Sequence, residues 1–217
     1  MKVTVFGATG AIGRLVVDDL LQVGHDVVAY VRNPDKVPPH WPTDGVDIVV
    51  GSITDPAAVD DAVGRGQVVI SALGPDLSRK TTGVPLVEGT RLIVTSMQRH
   101  EIQRFIGMAT PSVLDPRDRR TLQPRVSTFM ARSFLPRAYQ EIVAMSKIIM
   151  SSDRIWTIIR FLAPRDGAQS GSEEERADYT CGPANRLSPL ARVATAYGSG
   201  HGSQVQASTS TDRHRRS

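Results

Sequence analysis

The chain has 217 residues, 40% of them hydrophobic and 22% charged, which is ordinary for a soluble globular fold and enough for one sizeable core. One cysteine, Cys181, rules out a disulfide framework, and no apolar run reaches the roughly 18 residues that span a bilayer. The net charge of +4 is mild and gathers in Arg117, Arg119, Arg120 and Arg125 and in Arg213, Arg215 and Arg216, with no basic stripe interleaved with aromatics to suggest nucleic acid.

Lys2–Phe6 is a short β-branched run, the pattern of a buried parallel strand. Gly7-Ala-Thr-Gly10-Ala-Ile-Gly13 follows at once. Ile12, Leu15, Val16, Leu20 and Val23 then fall at near-helical spacing, and Gly24 stands where a helix-ending glycine belongs. Strands are predicted at Val27–Val31 and Val46–Val50. Asp55-Pro56 reads as an N-cap and first-turn proline, opening a helix through Val63. A fourth strand, Gln67–Leu73, precedes a long helix, Leu86–Arg99, and a fifth strand, Arg104–Ala109. A helix with Ile142, Met145 and Ile149 on one stripe leads to a sixth strand, Trp156–Leu162. Strands alternating with helices predict an α/β fold, a Rossmann-type doubly wound parallel sheet. Such sheets bind ligands beyond the carboxyl ends of their strands.

The glycine motif is the strongest chemical signal. Gly7 permits a tight turn, Gly10 lets the backbone approach a pyrophosphate, and Gly13 lets the helix pack closely. The helix N-terminus then offers N–H groups and a positive dipole end to phosphate. The spacing is G-x-x-G-x-x-G rather than the commoner G-x-G-x-x-G. The second strand ends Tyr30-Val31-Arg32-Asn33-Pro34-Asp35-Lys36. NAD sites usually place a carboxylate near this point for the ribose 2′-hydroxyl. Here Arg32 offers a planar fork to a 2′-phosphate, and Lys36 adds a second charge, so NADP(H) is expected in preference to NAD(H). Asp35 is the nearest carboxylate and is expected past the strand end.

These residues, with Leu73-Gly74, Val87-Glu-Gly-Thr-Arg-Leu-Ile-Val94 and Trp156-Thr-Ile-Ile-Arg160, carry a resemblance. Over residues 1–166 the chain resembles the atypical short-chain dehydrogenase/reductases, in particular the NmrA-like and biliverdin reductase B (flavin reductase) type. That resemblance implies that Thr9, Ala11 and Ile12 lie around the pyrophosphate and that Arg32 and Lys36 take the 2′-phosphate. It implies that Ser52 and Ile53 border adenine, although the first of these is usually Asp in the family. It further implies that Leu73 and Gly74 line the path toward the nicotinamide, with Met108 and Thr110 beside it.

Catalytic residues are harder to find. The usual short-chain dehydrogenase needs Tyr and Lys four residues apart, so that the Lys tunes the Tyr. Tyr139 stands eight residues before Lys147, roughly 12 Å along a helix axis, too far for that role. Hydride transfer to a flavin-like ring needs no side-chain acid, because position and excluded water do most of the work. Thr110 is the candidate to hydrogen-bond the nicotinamide amide or substrate, against a purely local role in its strand end. His25, His40, His100, His201 and His214 have no ligand-spaced partner, so no metal is expected.

The expectation is therefore an NADPH-dependent reductase of a small planar acceptor, flavin or quinone, in the cytoplasm. The rivals are a non-catalytic NmrA-like redox sensor and an epimerase or dehydratase of the extended group. The last class needs a substrate domain after the sheet. Residues 167–217 read instead as a disordered tail. Gln169-Ser-Gly-Ser-Glu-Glu-Glu-Arg176 has no apolar residue, and Gly198–Ser217 has one aliphatic beyond alanine, Val205. The abrupt change predicts a sheet lacking its closing strand and helix, as a shifted frame or exon boundary would leave it.

Overall fold

The computed structural model describes residues 1–75, 83–109, 136–160 and 178–181. Six parallel strands and one antiparallel strand form a single sheet in the order β3-β2-β1-β4-β5-β6-β7. The strands are β1 (Lys2–Phe6), β2 (Asp26–Val31), β3 (Val46–Val50), β4 (Val68–Ser71), β5 (Arg104–Ala109), β6 (Ile155–Arg160) and β7 (Asp178–Cys181). The helices are α1 (Ala11–Gln22), α2 (Pro56–Gly64), α3 (Pro85–Arg99) and α4 (Pro136–Met150), with a short 3₁₀ turn at Pro34–Lys36. Among the described residues no helix is long and apolar enough to cross a membrane.

Alternation along each strand builds two cores. Val3 and Val5 of β1, Val27, Ala29 and Val31 of β2, and Ile70 of β4 meet Val16, Val17 and Leu20 of α1. Phe6, Val28, Tyr30, Val69, Phe105 and Trp156 point the other way, against Val59, Ala62 and Val63 of α2, Ile93 and Met97 of α3 and Ile149 of α4. Each fully buried aliphatic or aromatic side chain contributes about 1.5–3 kcal/mol, so the sheet needs both layers. The predicted stripe on α4 holds: Met145 and Ile149 are buried, and Ile142 packs on the same cluster.

The terminating signals act as their chemistry requires. Gly24 adopts φ +79° and its N–H donates to the Leu21 carbonyl at 3.0 Å, while the His25 N–H reaches Leu20 at 2.8 Å. The Asp55 carboxylate accepts from the Ala57 and Ala58 N–H groups at 3.0 and 3.2 Å. β4 is shorter than the predicted Gln67–Leu73, yet the Gln67 and Ala72 N–H groups still bond to Lys2 and Phe6 carbonyls at its two ends. β6 starts one residue earlier than predicted, and residues 161 and 162 lie outside the described set. The composition of the tail had predicted no element after residue 166. The structure corrects this: Asp178–Cys181 pairs antiparallel with β6, Ile158 opposite Thr180 and Ile159 opposite Tyr179. The remaining tail residues, on which the prediction of disorder rests, lie outside the described set.

After β2 the chain folds back over α1. The Trp41 indole N–H donates to Asp18 at 2.7 Å, His40 lies 3.0 Å from the same oxygen, and the Trp41 ring is buried in the α1 core. The neighbouring Asp19 is pushed up to about 6, by burial first and by Asp18 as well, against a backbone hydrogen bond that lowers it. The folded chain therefore binds more protons than the unfolded chain between pH 3.8 and about 6, and stability falls as pH rises through that window. Asp19→Asn is expected to raise the melting temperature by about 2–4 °C at pH 7.5, after allowance for solvent screening, and to have no effect at pH 3.5. Thermal melts at the two pH values check it, and an equal shift at both would refute the burial argument.

Candidate dinucleotide site

The order of strands makes the site. β1 feeds β2 and β3 on one side, after which the chain crosses to β4, β5 and β6 on the other. Register aligns the carboxyl ends: Phe6 lies beside Tyr30 and Ser71, and Ser71 beside Gly107. The reversal falls between β1 and β4, which opens a crevice at that edge. The glycine turn stands in its mouth.

Gly7 adopts φ +76°, open to glycine at little cost. Its carbonyl accepts the Gly10 N–H at 2.9 Å, closing the turn. A Cβ on Gly7 would stand 3.0 Å from the Ala72 carbonyl carbon and oxygen, so the turn lies directly on the β4 exit that leads to Leu73. A Cβ on Gly13 would lie 2.0 Å from the Gly7 oxygen, and this absence lets α1 start beneath the turn. Gly10 differs: it has ordinary extended backbone, and a Cβ there would meet only the Gly7 oxygen, at 3.1 Å. The Arg14 N–H closes the first intrahelical bond of α1 on Gly10, and no side chain caps the helix. The N–H groups of Ala11, Ile12 and Gly13 thus have no intrahelical acceptor, and the first turn holds no acidic residue. That is the donor set an anion requires.

Around the turn, Thr9 and Ile12 are half-buried, with Ile12 packed on the α1 core, and Ala11 is exposed. Arg32 and Lys36 are exposed one strand away, at the end of β2 and in the 3₁₀ turn, and their side chains make no hydrogen bond or ion pair to the described residues. Asp35 lies past the strand end, as expected, its N–H donating to the Asn33 side chain at 2.9 Å.

The wall beyond β3 is held by a residue the sequence reading missed. The Tyr30 hydroxyl donates to the Ser52 carbonyl at 2.6 Å, and burial, with Asp55 nearby, pushes that phenol up to about 12. Ser52 is exposed and its hydroxyl shares a hydrogen bond with Thr54 at 2.9 Å. Ile53 packs on Gly89 of α3, where a Cβ would stand 2.2 Å from the Ile53 Cγ1. Leu73 packs on the α2–α4 core, and Gly74 is exposed with open space beside it. Met108, near the end of β5, packs on the α1-side core and is half-buried. Thr110, the candidate catalytic residue, lies outside the described residues. The structure therefore gathers the turn, Arg32, Lys36, Ser52, Ile53, Leu73 and Gly74 along one edge of the sheet.

On α4, Tyr139 is half-buried and Lys147 is exposed two turns later, with Val143 at the position four after the Tyr. Tyr139→Phe is expected to leave any reductase activity within about threefold of the parent, because Val143, and not a Lys, stands four residues after it. Steady-state rates check it, and a hundredfold loss would relocate the active site. Among the described residues no three His, Cys, Asp or Glu side chains gather as a metal would need.

A family profile described as NAD(P)H-binding matches residues 7–194. A phenylcoumaran benzylic ether reductase of Ginkgo biloba is 30% identical over 112 residues, 48% of this chain and 34% of that protein. A 3-beta-hydroxysteroid dehydrogenase of Mycolicibacterium neoaurum is 31% identical over 123 residues, 52% of this chain and 33% of that protein. The chain thus spans about a third of the length of these curated relatives. Among solved structures, an anaerobilin reductase from Escherichia coli O157:H7 superposes with a TM-score of 0.65 at 20% identity, covering 90% of this chain and 88% of that one. A wide-type short-chain dehydrogenase/reductase from Veillonella parvula, in complex with NADP, gives 0.63 at 19% identity, covering 90% and 85%. At these identities the structures speak for the fold.

Proposed function

The chain belongs to the NAD(P)H-binding family, and we propose that within it this protein is an NADPH-dependent reductase of a small planar acceptor of the flavin or quinone type. The observation that carries the reading is the uncapped start of α1 beside Arg32 and Lys36. Three helix N–H groups with no intrahelical acceptor and no acidic neighbour suit a pyrophosphate. Two exposed cations at the end of β2, with no carboxylate at the strand end, suit a 2′-phosphate and not a bare ribose.

Bound NADPH would supply a hydride. The chain's own contribution is to place the donor: Gly10 admits the pyrophosphate, Ile53 backs the adenine, and Leu73 and Gly74 line the route to the reacting ring. A planar acceptor that takes hydride directly, and its proton from water, needs no tuned Tyr, which agrees with Val143 standing where a tuning Lys would be. The reductases among the relatives support the reaction class. The resemblance to the biliverdin reductase B (flavin reductase) type supports the acceptor, and a reducing cytoplasm suits a chain with the lone Cys181.

The absent Tyr/Lys pair also fits an NmrA-like sensor that holds the cofactor without turnover. One experiment separates the two. Calorimetric titration with NADPH and with NADH is followed by NADPH oxidation, read at 340 nm, with FMN or a quinone added. Tight NADPH binding with acceptor-dependent oxidation supports the reductase. Binding without oxidation by any acceptor of the screen would favour the sensor, and tighter binding of NADH would overturn the cofactor assignment.

A further inference from the structure

Glu141 is 2% exposed and is the one charged residue among the buried described residues. Burying a carboxylate costs several kcal/mol unless its partners compensate. It sits on α4, a helix whose other inward positions are filled by Ala138, Met145, Ser146 and Ile149. Its Oε1 accepts the Leu86 N–H at 2.9 Å, in the first turn of α3.

That turn has no cap of its own. The N-cap residue is Val84, which offers no side-chain acceptor and is 44% exposed, and Pro85 follows it. A carboxylate borrowed from the neighbouring helix supplies the acceptor, and its charge adds to that of Glu88 in the same turn. Leu86 is tied to the next turn as well, because the buried Thr90 hydroxyl donates to the Leu86 carbonyl at 2.7 Å. Between them lies Gly89, on which Ile53 rests, with 3.0 Å between the Ile53 oxygen and the place of a glycine Cβ. The depth of α3 therefore fixes Ile53 from one side, while the Tyr30 hydroxyl fixes its neighbour Ser52 from the other.

From this chain of contacts we infer that Glu141 is a positioning residue for the adenosine half of the dinucleotide, acting through Leu86 and Gly89 on Ile53. The inference rests on the proposed dinucleotide reading. It assigns Glu141 no contact with the cofactor and no part in proton transfer.

The test is calorimetric titration of the full chain with NADPH and, separately, with adenosine 2′,5′-bisphosphate, which carries only the adenosine end. Glu141→Asp keeps the charge but withdraws the oxygen by one methylene. Glu141→Gln keeps an oxygen within reach of Leu86. Glu141→Asp is expected to weaken both ligands about tenfold, and Glu141→Gln to stay within about threefold of the parent, as loss or retention of the one hydrogen bond to Leu86 implies. Amide exchange at Leu86 should accelerate in the Asp variant alone. Unchanged affinity for both ligands in Glu141→Asp, with only a lower melting temperature, would reduce Glu141 to a structural cap and overturn the inference. Loss of NADPH binding with the bisphosphate retained would overturn it too, by moving the effect to the nicotinamide end. A parent chain that binds neither ligand would overturn the dinucleotide reading itself.

Discussion

Gly10→Val is expected to abolish NADPH binding while the protein remains folded. Gly10 has φ −74° and ψ 168°, a conformation that valine adopts readily, so the backbone carries no strain. The nearest atom to an added Cβ is the Gly7 oxygen at 3.1 Å, a tight contact that small shifts absorb. The two methyl groups beyond that Cβ would occupy the space over the first turn of α1, where the pyrophosphate is proposed to lie. A loss of at least about 100-fold, or about 2.7 kcal/mol, is expected in the calorimetric Kd. Gly13→Ala provides the contrast. Its methyl would stand 2.0 Å from the Gly7 oxygen and 2.8 Å from the Gly7 carbonyl carbon, both backbone atoms, so α1 must move. That variant is expected to lose roughly 2–3 kcal/mol of stability, or about 6–9 °C in melting temperature. Equal melting temperatures for the two variants would show that the turn is looser than drawn. Undiminished NADPH affinity in Gly10→Val would refute the site.

The sheet and the glycine turn were legible in the sequence because their causes are local. Buried parallel strands are short β-branched runs, and β1, β3 and β5 fall at their predicted boundaries. Gly24, Asp55 and Pro56 punctuate the chain by their own backbone and capping chemistry, and each does so in the structure. What escaped was made by pairs distant in sequence. Tyr30 and Ser52 are 22 residues apart, Asp18 and Trp41 are 23, and Leu86 and Glu141 are 55. No periodicity records such pairs. Tyr30 reads as one more strand aromatic, and Glu141 as a polar residue on an amphipathic helix. β7 escaped for another reason. Asp178-Tyr-Thr-Cys181 is four residues long in a polar context, and only its pairing with β6 identifies it. At Ser52 the backbone carbonyl, held by the Tyr30 hydroxyl, fixes the loop after β3.

Arg32→Asp is expected to invert the cofactor preference. Arg32 stands one residue beyond the last residue of β2, exposed, with no hydrogen bond or ion pair to the described residues. Its removal therefore strips no described hydrogen bond or ion pair from the fold, and the melting temperature should hold within about 2 °C. The new carboxylate would face a 2′-phosphate with like charge, leaving Lys36 as the remaining cation. It would also stand where NAD sites place the acid that accepts from the ribose 2′-hydroxyl. NADPH affinity is expected to fall at least about 100-fold, since a charge-assisted bidentate pair is replaced by repulsion. NADH affinity should stay within a few-fold of the parent or improve. Salt provides an internal control. Parent binding of NADPH should weaken between 50 and 500 mM NaCl more than parent binding of NADH, because exposed charge pairs are screened. The variant should lose that difference. A fall of equal size for both cofactors would mean that Arg32 shapes the end of β2 rather than reading the phosphate, and Lys36 alone would then remain to distinguish the two.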